Sequence, residues 1–231
     1  GKLETTVTRL DKTKANINYQ FVDCGNRQSI FDWASEVASE SSTVHALFNN
    51  AGVAYGAYFA ESTEENFEWL LNINFWGVVH GTRAFLPLLM EAKRSHLVNL
   101  SSIFGMIGVP SQSAYNAAKF AVRGFSEALQ AEYRGTKLQV SCVHPGGVLT
   151  NIARAARVDG KLDLKDLESR DREFRQLART TPEKAAEVIL MGTMKGRPRI
   201  LVGWDAWLIY QIVKVMPTTY HFFTSKLPNN S

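Results

Sequence analysis

Short apolar runs alternate with longer amphipathic stretches along this chain, and that alternation constrains its fold more than any other feature. Nearly continuous apolar runs predict strands that are covered on both faces, as in parallel sheets. The stretches between them follow the period of helices, about 3.6 residues. The predicted strands are 17–22, 44–48, 96–101, 138–143 and 199–202, and the predicted helices are 27–40, 63–71, 74–93, 115–134 and 181–194. This alternation indicates an α/β doubly wound sheet with helices on both faces.

Four residues sharpen the helix predictions. Thr63 and Thr181 are expected to cap the N-termini of their helices, and Pro182 suits the first helical position. Pro87 lies inside the 74–93 pattern, where a missing amide N–H should bend or locally break the helix.

The length and composition of the chain predict one globular domain over residues 1–231, which is 45% hydrophobic and 21% charged. The net charge of +4 is spread along the chain without a basic block, which argues against nucleic acid as a partner. Cys24 and Cys142 are the only cysteines, so a reducing, cytoplasmic compartment is expected. The apolar segment 204–216 contains two charged residues and is shorter than the roughly 20 residues of a membrane span, so we expect a packed helix or a subunit contact.

The residue types that carry chemistry follow the predicted strands. "NNAG" at 49–52, "SSIFG" at 101–105 and "HPGGVLT" at 144–150 each follow a strand, and Tyr115 and Lys119 open the helix after the second of these motifs. Ligands bind at the carboxyl ends of the strands in open parallel sheets. Each motif alone is weak, because Asn-Ala-Gly is a common turn and a Tyr/Lys pair four residues apart is common on helix surfaces. Their combination and spacing are specific.

Together, the NNAG and YxxxK motifs resemble those of the short-chain dehydrogenase/reductase family, from near residue 1 to about residue 200. The resemblance implies a Rossmann-like fold and reversible, NAD(P)-dependent hydride transfer between the cofactor and an alcohol or carbonyl compound. It implies that Tyr115 is the catalytic acid/base with Lys119 as its partner. Ser102 would bind the substrate oxygen, and Asn74 would complete the tetrad.

These residue types suit that chemistry. Hydride transfer to a carbonyl leaves an alkoxide, which needs a proton donor within hydrogen-bond reach. Tyr115 serves at neutral pH only if its phenolate is stabilised, and the Lys119 ammonium is expected to lower the pKa of the phenol. Ser102 can donate a hydrogen bond to the developing oxyanion.

The resemblance also implies cofactor contacts. Lys119 would bind the nicotinamide ribose, and Asn49 would hold the central sheet together. The remaining implied cofactor-binding residues are Asp23 at the adenine, Asn50, Ala51 and Gly52 along the adenosine ribose, and Pro145, Gly146, Val148 and Thr150 near the carboxamide. Asp23 is equally explained as a turn residue after a strand. The histidines lack metal-ligand spacing, so no metal is expected.

The chain departs from the family pattern in one respect: no glycine-rich GxxxGxG turn occurs in it. "GKLETTVTRL" at 1–10 is similar to the helix after the family's second strand, so we expect the chain to begin after a strand–helix–strand unit. That unit is either missing from this chain or natively lacking in the protein, and the first alternative is favoured because the lost strands belong in the middle of the sheet. NAD and NADP are not distinguished, although family habit favours NADP.

The charged stretch 151–180 is either a lid over the substrate or a solvated surface segment. The apolar motifs around the predicted site favour a small, lipophilic alcohol, ketone or aldehyde as substrate. The resemblance implies a homodimer or homotetramer that pairs through helices 74–93 and 115–134. The alternative function is that of a non-catalytic family member that binds a partner protein through its long helices.

Overall fold

Strands and helices alternate in the computed structural model, which describes residues 17–152, 154–162 and 180–220. The strands are β1 (Ala46–Asn49), β2 (Tyr55–Gly56), β3 (Ser95–Leu100), β4 (Leu138–Pro145), β5 (Arg157–Val158) and β6 (Arg199–Val202). β1, β3, β4 and β6 form a parallel sheet in the order β1-β3-β4-β6, and β2 pairs with β5 in a second, two-stranded parallel sheet. The predicted doubly wound α/β class is confirmed.

Six α-helices connect these strands within the described residues. They are α1 (Arg27–Glu40), α2 (Glu64–Leu71), α3 (Gly77–Glu91), α4 (Ser113–Glu132), α5 (Pro182–Met194) and α6 (Trp204–Val215). A π-helical stretch, Asn72–Trp76, joins α2 to α3, and short 3-10 turns cover Phe59–Glu61 and Ile103–Gly105. The predicted caps are confirmed, because the Thr63 hydroxyl accepts from the Asn66 amide and the Thr181 hydroxyl from the Lys184 amide.

The sheet carries helices on both faces, and two apolar clusters form the contacts. On one face α1, α3 and α4 pack against β1, β3 and β4, with Ala34, Leu47, Phe85, Leu89, Leu97, Leu129, Leu138 and Val140 buried together. On the other face α5 packs against β3, β4 and β6 around Val98, Val143, Ala185, Ile200 and Val202. Both faces of β3 and β4 are therefore covered, as their continuous apolar runs predicted.

The predicted strand 17–22 is wrong, because these residues form no ladder with any described strand. A strand exists only where a neighbour pairs with it, and here the segment lines a cleft of about 420 Å³ together with α1 and the free edge of β1. Tyr19 and Phe21 are largely exposed, and Phe48 on β1 is partly so. β1 pairs with β3 alone among the described strands.

Pro87 was expected to bend or locally break its helix, and the local break does not occur. α3 continues through Pro87 without interruption, and the irregular turn lies instead at Asn72–Trp76, before α3 begins. Residues 1–10, and with them the predicted first helix, lie outside the described residues, as do residues 153 and 163–179 of the predicted lid.

Candidate active site

The active-site candidates lie where three neighbouring parallel strands end. β1 ends at Asn49, β3 ends at Leu100 just before Ser102, and β4 ends at Pro145. α4 begins at Ser113 and carries Tyr115 on its first turn. Because the strands are adjacent and parallel, their carboxyl ends share one edge of the sheet, and the three predicted motifs lie together there.

Lys119 is buried, with 4% of its surface exposed, and it is fixed at both ends. Its ammonium donates to the Leu100 carbonyl at 2.9 Å, and its own carbonyl accepts from the Ser101 hydroxyl at 2.8 Å. A Cβ on Gly105 would lie 2.7 Å from that carbonyl, so α4 and the turn after β3 approach this closely only with glycine at 105. Burial lowers the pKa of Lys119 to about 8.

Tyr115 lies beside both other members of the predicted triad. The Lys119 nitrogen is 5.6 Å from the centroid of the Tyr115 ring, and the Ser102 hydroxyl is hydrogen-bonded to the phenol. Burial raises the pKa of Tyr115 to about 12, and the hydrogen bond with Ser102 opposes that rise. The expected lowering of the Tyr115 pKa is therefore wrong for this structure: the loss of solvation on burial outweighs the hydrogen bond with Ser102.

Asn74 lies in the π-helical stretch and is fully buried. Its amide group donates to the Val53 carbonyl and accepts from the Val53 amide, both at 2.8 Å. A Cβ built on Gly52 would lie 3.3 Å from the side-chain oxygen Oδ1 of Asn74 and 3.7 Å from Nζ of Lys119. Asn74, Gly52 and Lys119 are therefore neighbours, and Asn74 fixes the chain after the NNAG motif. Insertions of a π turn are frequent at functional sites.

Asn49 is also part of this framework. Its amide donates to Asn99 on β3 at 2.8 Å and to Thr82 on α3 at 3.1 Å, and Asn99 in turn donates to Ser126 on α4 at 3.1 Å. The prediction that Asn49 holds the central sheet together is confirmed.

The predicted carboxamide segment follows β4. Gly147, which the sequence did not single out, donates its amide to the Asp205 carboxylate at 2.5 Å, and the Gly146 amide donates to the Val202 carbonyl at 2.8 Å. α6 and the end of β6 thereby hold this segment. Val148 is half-buried and forms a bridge with Thr180, and Thr150 is exposed. Pro145 is the last residue of β4.

The predicted adenosine residues lie at the other end of the site. Asn50 and Ala51 are exposed and line the cleft along β1. The Asp23 carboxylate accepts from the Gly25 amide at 2.9 Å, and the Asp23 amide donates to the Ser29 hydroxyl at 3.1 Å. Asp23 thus forms the turn that leads into α1.

Sequence reasoning missed Asn116, which follows the catalytic tyrosine candidate. Its side chain accepts from the Val109 amide at 3.0 Å and donates to the Phe104 and Ile107 carbonyls, each at 2.7 Å. Asn116 therefore holds the whole turn after β3 against α4. A buried polar residue beside the tyrosine was the available signal, because such a group is retained only when it is hydrogen-bonded.

A second missed residue is Asp159, in the segment that follows β5. Its carboxylate accepts from the Tyr55 hydroxyl at 2.6 Å, from the Thr63 amide and hydroxyl at 3.0 and 2.6 Å, and from the Asn66 amide group at 3.0 Å. These hydrogen bonds hold residues 154–162 against β2 and the N-terminus of α2. They lower the pKa of Asp159. No sequence pattern links positions a hundred residues apart.

The donor set suits a dinucleotide. The Lys119 ammonium has three protons and one protein acceptor in the described residues, so it can bind ribose hydroxyls. The NNAG motif leads to the same place, because a Cβ on Gly52 would lie 3.7 Å from the Lys119 nitrogen. Within the described part of the chain, no three His, Cys, Asp or Glu side chains group as a metal site requires.

Comparison with known proteins identifies the family to which this chain is similar. The sequence model of the family described as short chain dehydrogenase matches residues 1–160. A Mycobacterium tuberculosis protein, provisionally named oxidoreductase SadH, is 41% identical over 221 residues, which cover 94% of this chain and 79% of that protein.

Solved structures of short-chain dehydrogenases are also similar to this chain. A short-chain dehydrogenase/reductase from Burkholderia phymatum, in complex with NAD, superposes with a TM-score of 0.79 at 27% identity over 92% of this chain and 82% of that one. The closed form of a serine dehydrogenase complexed with NADP⁺ gives a TM-score of 0.72 at 26% identity over 86% and 79%. In the ranges that the structure covers, no helix is long and apolar enough to cross a membrane.

Proposed function

The chain belongs to the short-chain dehydrogenase/reductase family and is an NAD(P)-dependent oxidoreductase, and we propose that Tyr115, Ser102, Lys119 and Asn74 are its catalytic residues. The observation that carries this proposal is the contact set of Tyr115, whose phenol meets the Ser102 hydroxyl while the Lys119 ammonium lies 5.6 Å from its ring. A proton donor, an oxyanion donor and a positive charge therefore converge on one point.

Each residue has a distinct role in this proposal. In the oxidising direction Tyr115 accepts the hydroxyl proton of the alcohol, and Ser102 donates a hydrogen bond to the same substrate oxygen. Lys119 binds the ribose with the ammonium protons that Leu100 leaves free. Asn74 keeps the chain after the NNAG motif in place. The bound nicotinamide supplies the hydride acceptor, or the donor in the reverse direction.

Asp23, Asn50, Ala51 and Gly52 are proposed to contact the adenosine half of the cofactor. Pro145, Gly146, Val148 and Thr150 are proposed to contact the carboxamide. The exposure of Asn50 and Ala51 at the cleft along β1, and the anchoring of the 146–147 segment by Val202 and Asp205, support this division. We favour NADP over NAD as the working cofactor, and the titration below decides between them.

The substrate is proposed to be a small, lipophilic alcohol, ketone or aldehyde. The turn after β3 is apolar: Ile103, Met106 and Ile107 are buried, and the Phe104 ring packs edge-on against the Tyr115 ring at 6.1 Å. Leu149 and Val148 continue the apolar surface after β4. Apolar walls with a few convergent polar groups are typical of such pockets.

We further propose a homo-oligomer that pairs through α3 and α4. Trp76 and Phe120 are 47% and 39% exposed beside these helices, and a Cβ on Gly124 of α4 would meet no atom within 4 Å. An open face with a small residue lets a second helix approach closely. A cytoplasmic location is supported by Cys24 and Cys142, neither of which is in a disulfide.

The test is titration of the full-length enzyme with NAD(H) and NADP(H), followed by a panel of lipophilic and polar alcohols, ketones and aldehydes. We expect saturable dinucleotide binding and turnover of lipophilic members of the panel. Binding of neither dinucleotide would favour the alternative, a non-catalytic module that binds a protein through α3 and α4. Turnover of polar substrates alone would contradict the proposed substrate class.

A further inference from the structure

His144 is a fully buried imidazole at the end of β4, next to Pro145. Its Nδ1 lies 3.1 Å from the carbonyl oxygen of Ser102, and its Nε2 has no hydrogen-bond partner among the described residues. A buried polar atom without a partner destabilises the fold. Among the described residues, the one hydrogen bond of the ring is therefore with the backbone of the proposed catalytic serine.

The contact determines the tautomer of the ring. A carbonyl oxygen only accepts, so Nδ1 must carry the proton and donate it to Ser102. Burial lowers the pKa of His144 to about 4, and the nearby charges of Arg199, Arg123 and Glu127 act in both directions. The ring is neutral between pH 6 and 10, and it does not titrate in the range in which a dehydrogenase is assayed.

The Ser102 carbonyl then has two donors, because it also accepts from the Gly105 amide at 3.0 Å. The Ser102 backbone is extended, with φ −167° and ψ 169°, and its hydroxyl accepts from the Phe104 amide at 3.1 Å. A carbonyl with two donors fixes the peptide plane, and the amide of residue 104 fixes the hydroxyl. The hydroxyl is thereby directed toward Tyr115.

We propose that His144 is a positioning residue: its Nδ1–H holds the Ser102 carbonyl and so keeps the Ser102 hydroxyl on Tyr115. This inference rests on the roles proposed above for Ser102 and Tyr115. His144 itself contacts neither substrate nor cofactor in this mechanism. Displacement of reacting groups by about 1 Å lowers rates by as much as ~10²-fold, so a distant hydrogen bond of this kind affects turnover.

Two amide substitutions separate the two ring nitrogens. The side-chain nitrogen of Asn can occupy the place of Nδ1, whereas that of Gln extends to the place of Nε2. His144→Asn therefore keeps the hydrogen bond to Ser102, and His144→Gln loses it with a side chain of comparable size and polarity. Both are measured in the full-length enzyme with Tyr115→Phe as an inactive reference.

We expect His144→Gln to lower kcat about 10-fold to 100-fold while KM for the dinucleotide stays within about 2-fold, because Lys119 is untouched. The midpoint of the pH profile for alcohol oxidation should rise, since the Ser102 hydrogen bond lowers the Tyr115 pKa. His144→Asn should restore both kcat and the midpoint. Equal kcat and equal midpoints in the two folded variants would overturn the proposal.

Hydrogen exchange of the Phe104 and Gly105 amides tests the positioning role of His144 without a measurement of enzymatic activity. These amides donate to the Ser102 hydroxyl and carbonyl, so exchange should be faster in His144→Gln than in His144→Asn. If the unmodified enzyme turned over no substrate but this difference persisted, the proposed function would fail while the positioning by His144 stood. The same exchange rates in both variants would overturn the positioning.

Discussion

The two ends of the candidate site are built differently. At the β3–β4 end, Ser102, Lys119 and Asn116 are held by hydrogen bonds of 2.7–3.1 Å to the backbone of neighbouring segments. At the β1 end, Asn50 and Ala51 are exposed along a cleft, and β1 has one paired neighbour among the described strands. Described residues therefore hold the catalytic end in place, whereas at the adenosine end the outer edge of β1 has no strand partner within the described ranges.

Because of that difference, substitutions at the two ends should affect different quantities: the reaction rate at one end and the dinucleotide affinity at the other. Substitutions at the β3–β4 end should change kcat or the pH profile, because the groups there meet the reacting atoms. Substitutions in the cleft along β1 should change dinucleotide affinity without changing the rate at saturation. A strand edge without a partner is a place where another strand can pair, and among the described strands β1 has such an edge.

The largest expected effect tests the catalytic end. Tyr115→Phe removes the phenol and keeps the ring that packs against Phe104. Turnover should fall by about 10²–10⁴-fold at unchanged thermal stability, since proton transfer by a positioned group contributes that much. Steady-state kinetics measures the loss, and Tyr133→Phe at the end of the same helix is the matched control. Near-normal turnover in Tyr115→Phe would remove Tyr115 from the mechanism.

Lys119 gives a prediction about stability and pH. Its pKa is lowered by burial from 10.5 to about 8, so between these values the unfolded chain binds more protons than the folded one. The free energy of unfolding should therefore rise as the pH increases from about 8 to about 10. Lys119→Met should abolish this rise in urea titrations, and the exposed Lys137→Met should retain it. A rise of equal size in both variants would show that Lys119 is not its source.

Asn49 and Asn50 are neighbours in the sequence but belong to different regions of the site. Asn49 faces Asn99 and Thr82, whereas Asn50 lies exposed in the cleft. Asn49→Ala leaves buried partners unsatisfied and should lower the free energy of unfolding by about 1–3 kcal/mol. Asn50→Ala should change it by less than about 0.5 kcal/mol and weaken dinucleotide binding instead. Urea denaturation and cofactor titration of both variants check this, and equal losses of stability would contradict it.

The sequence allowed more of the sheet to be predicted than of the site. α1, α5 and β6 begin and end where their patterns placed them to within a residue, because a covered strand or an amphipathic helix carries its burial in its own sequence. Segment 17–22 has the same apolar character but forms no strand, since pairing depends on a neighbour rather than on composition. Local patterns determine helices better than they determine strand pairing.

The site residues with motif spacing were predictable, and those without it were not. Tyr115 and Lys119 share a helix face, so their proximity follows from a separation of four residues. His144, Asn116 and Asp159 act through contacts that only the folded chain creates. The pKa of Tyr115 was predicted with the wrong sign, because the loss of solvation on burial depends on packing that one sequence does not give.

The smallest expected effect concerns the segment 154–162, which lies against β2 and α2. The Asp159 carboxylate accepts hydrogen bonds from Tyr55, Thr63 and Asn66, and Asp159→Asn replaces one acceptor oxygen by a donor. Amide exchange at residues 157 and 159, which donate to Ala54 and Gly56, should rise by roughly 10-fold, the equivalent of about one lost hydrogen bond. Asp32→Asn on the exposed face of α1 is the control.

The pH dependence of that effect identifies its cause. The folded pKa of Asp159 is lowered from 3.8, so its contribution to stability is present above that value and is lost as the pH falls through the lower, folded pKa. The difference in amide exchange between the unmodified protein and Asp159→Asn should be largest at pH 6 and should decrease as the pH falls below about 4. A difference that stayed constant down to pH 3 would assign the effect to packing, and the carboxylate would then not be what holds this segment beside the site.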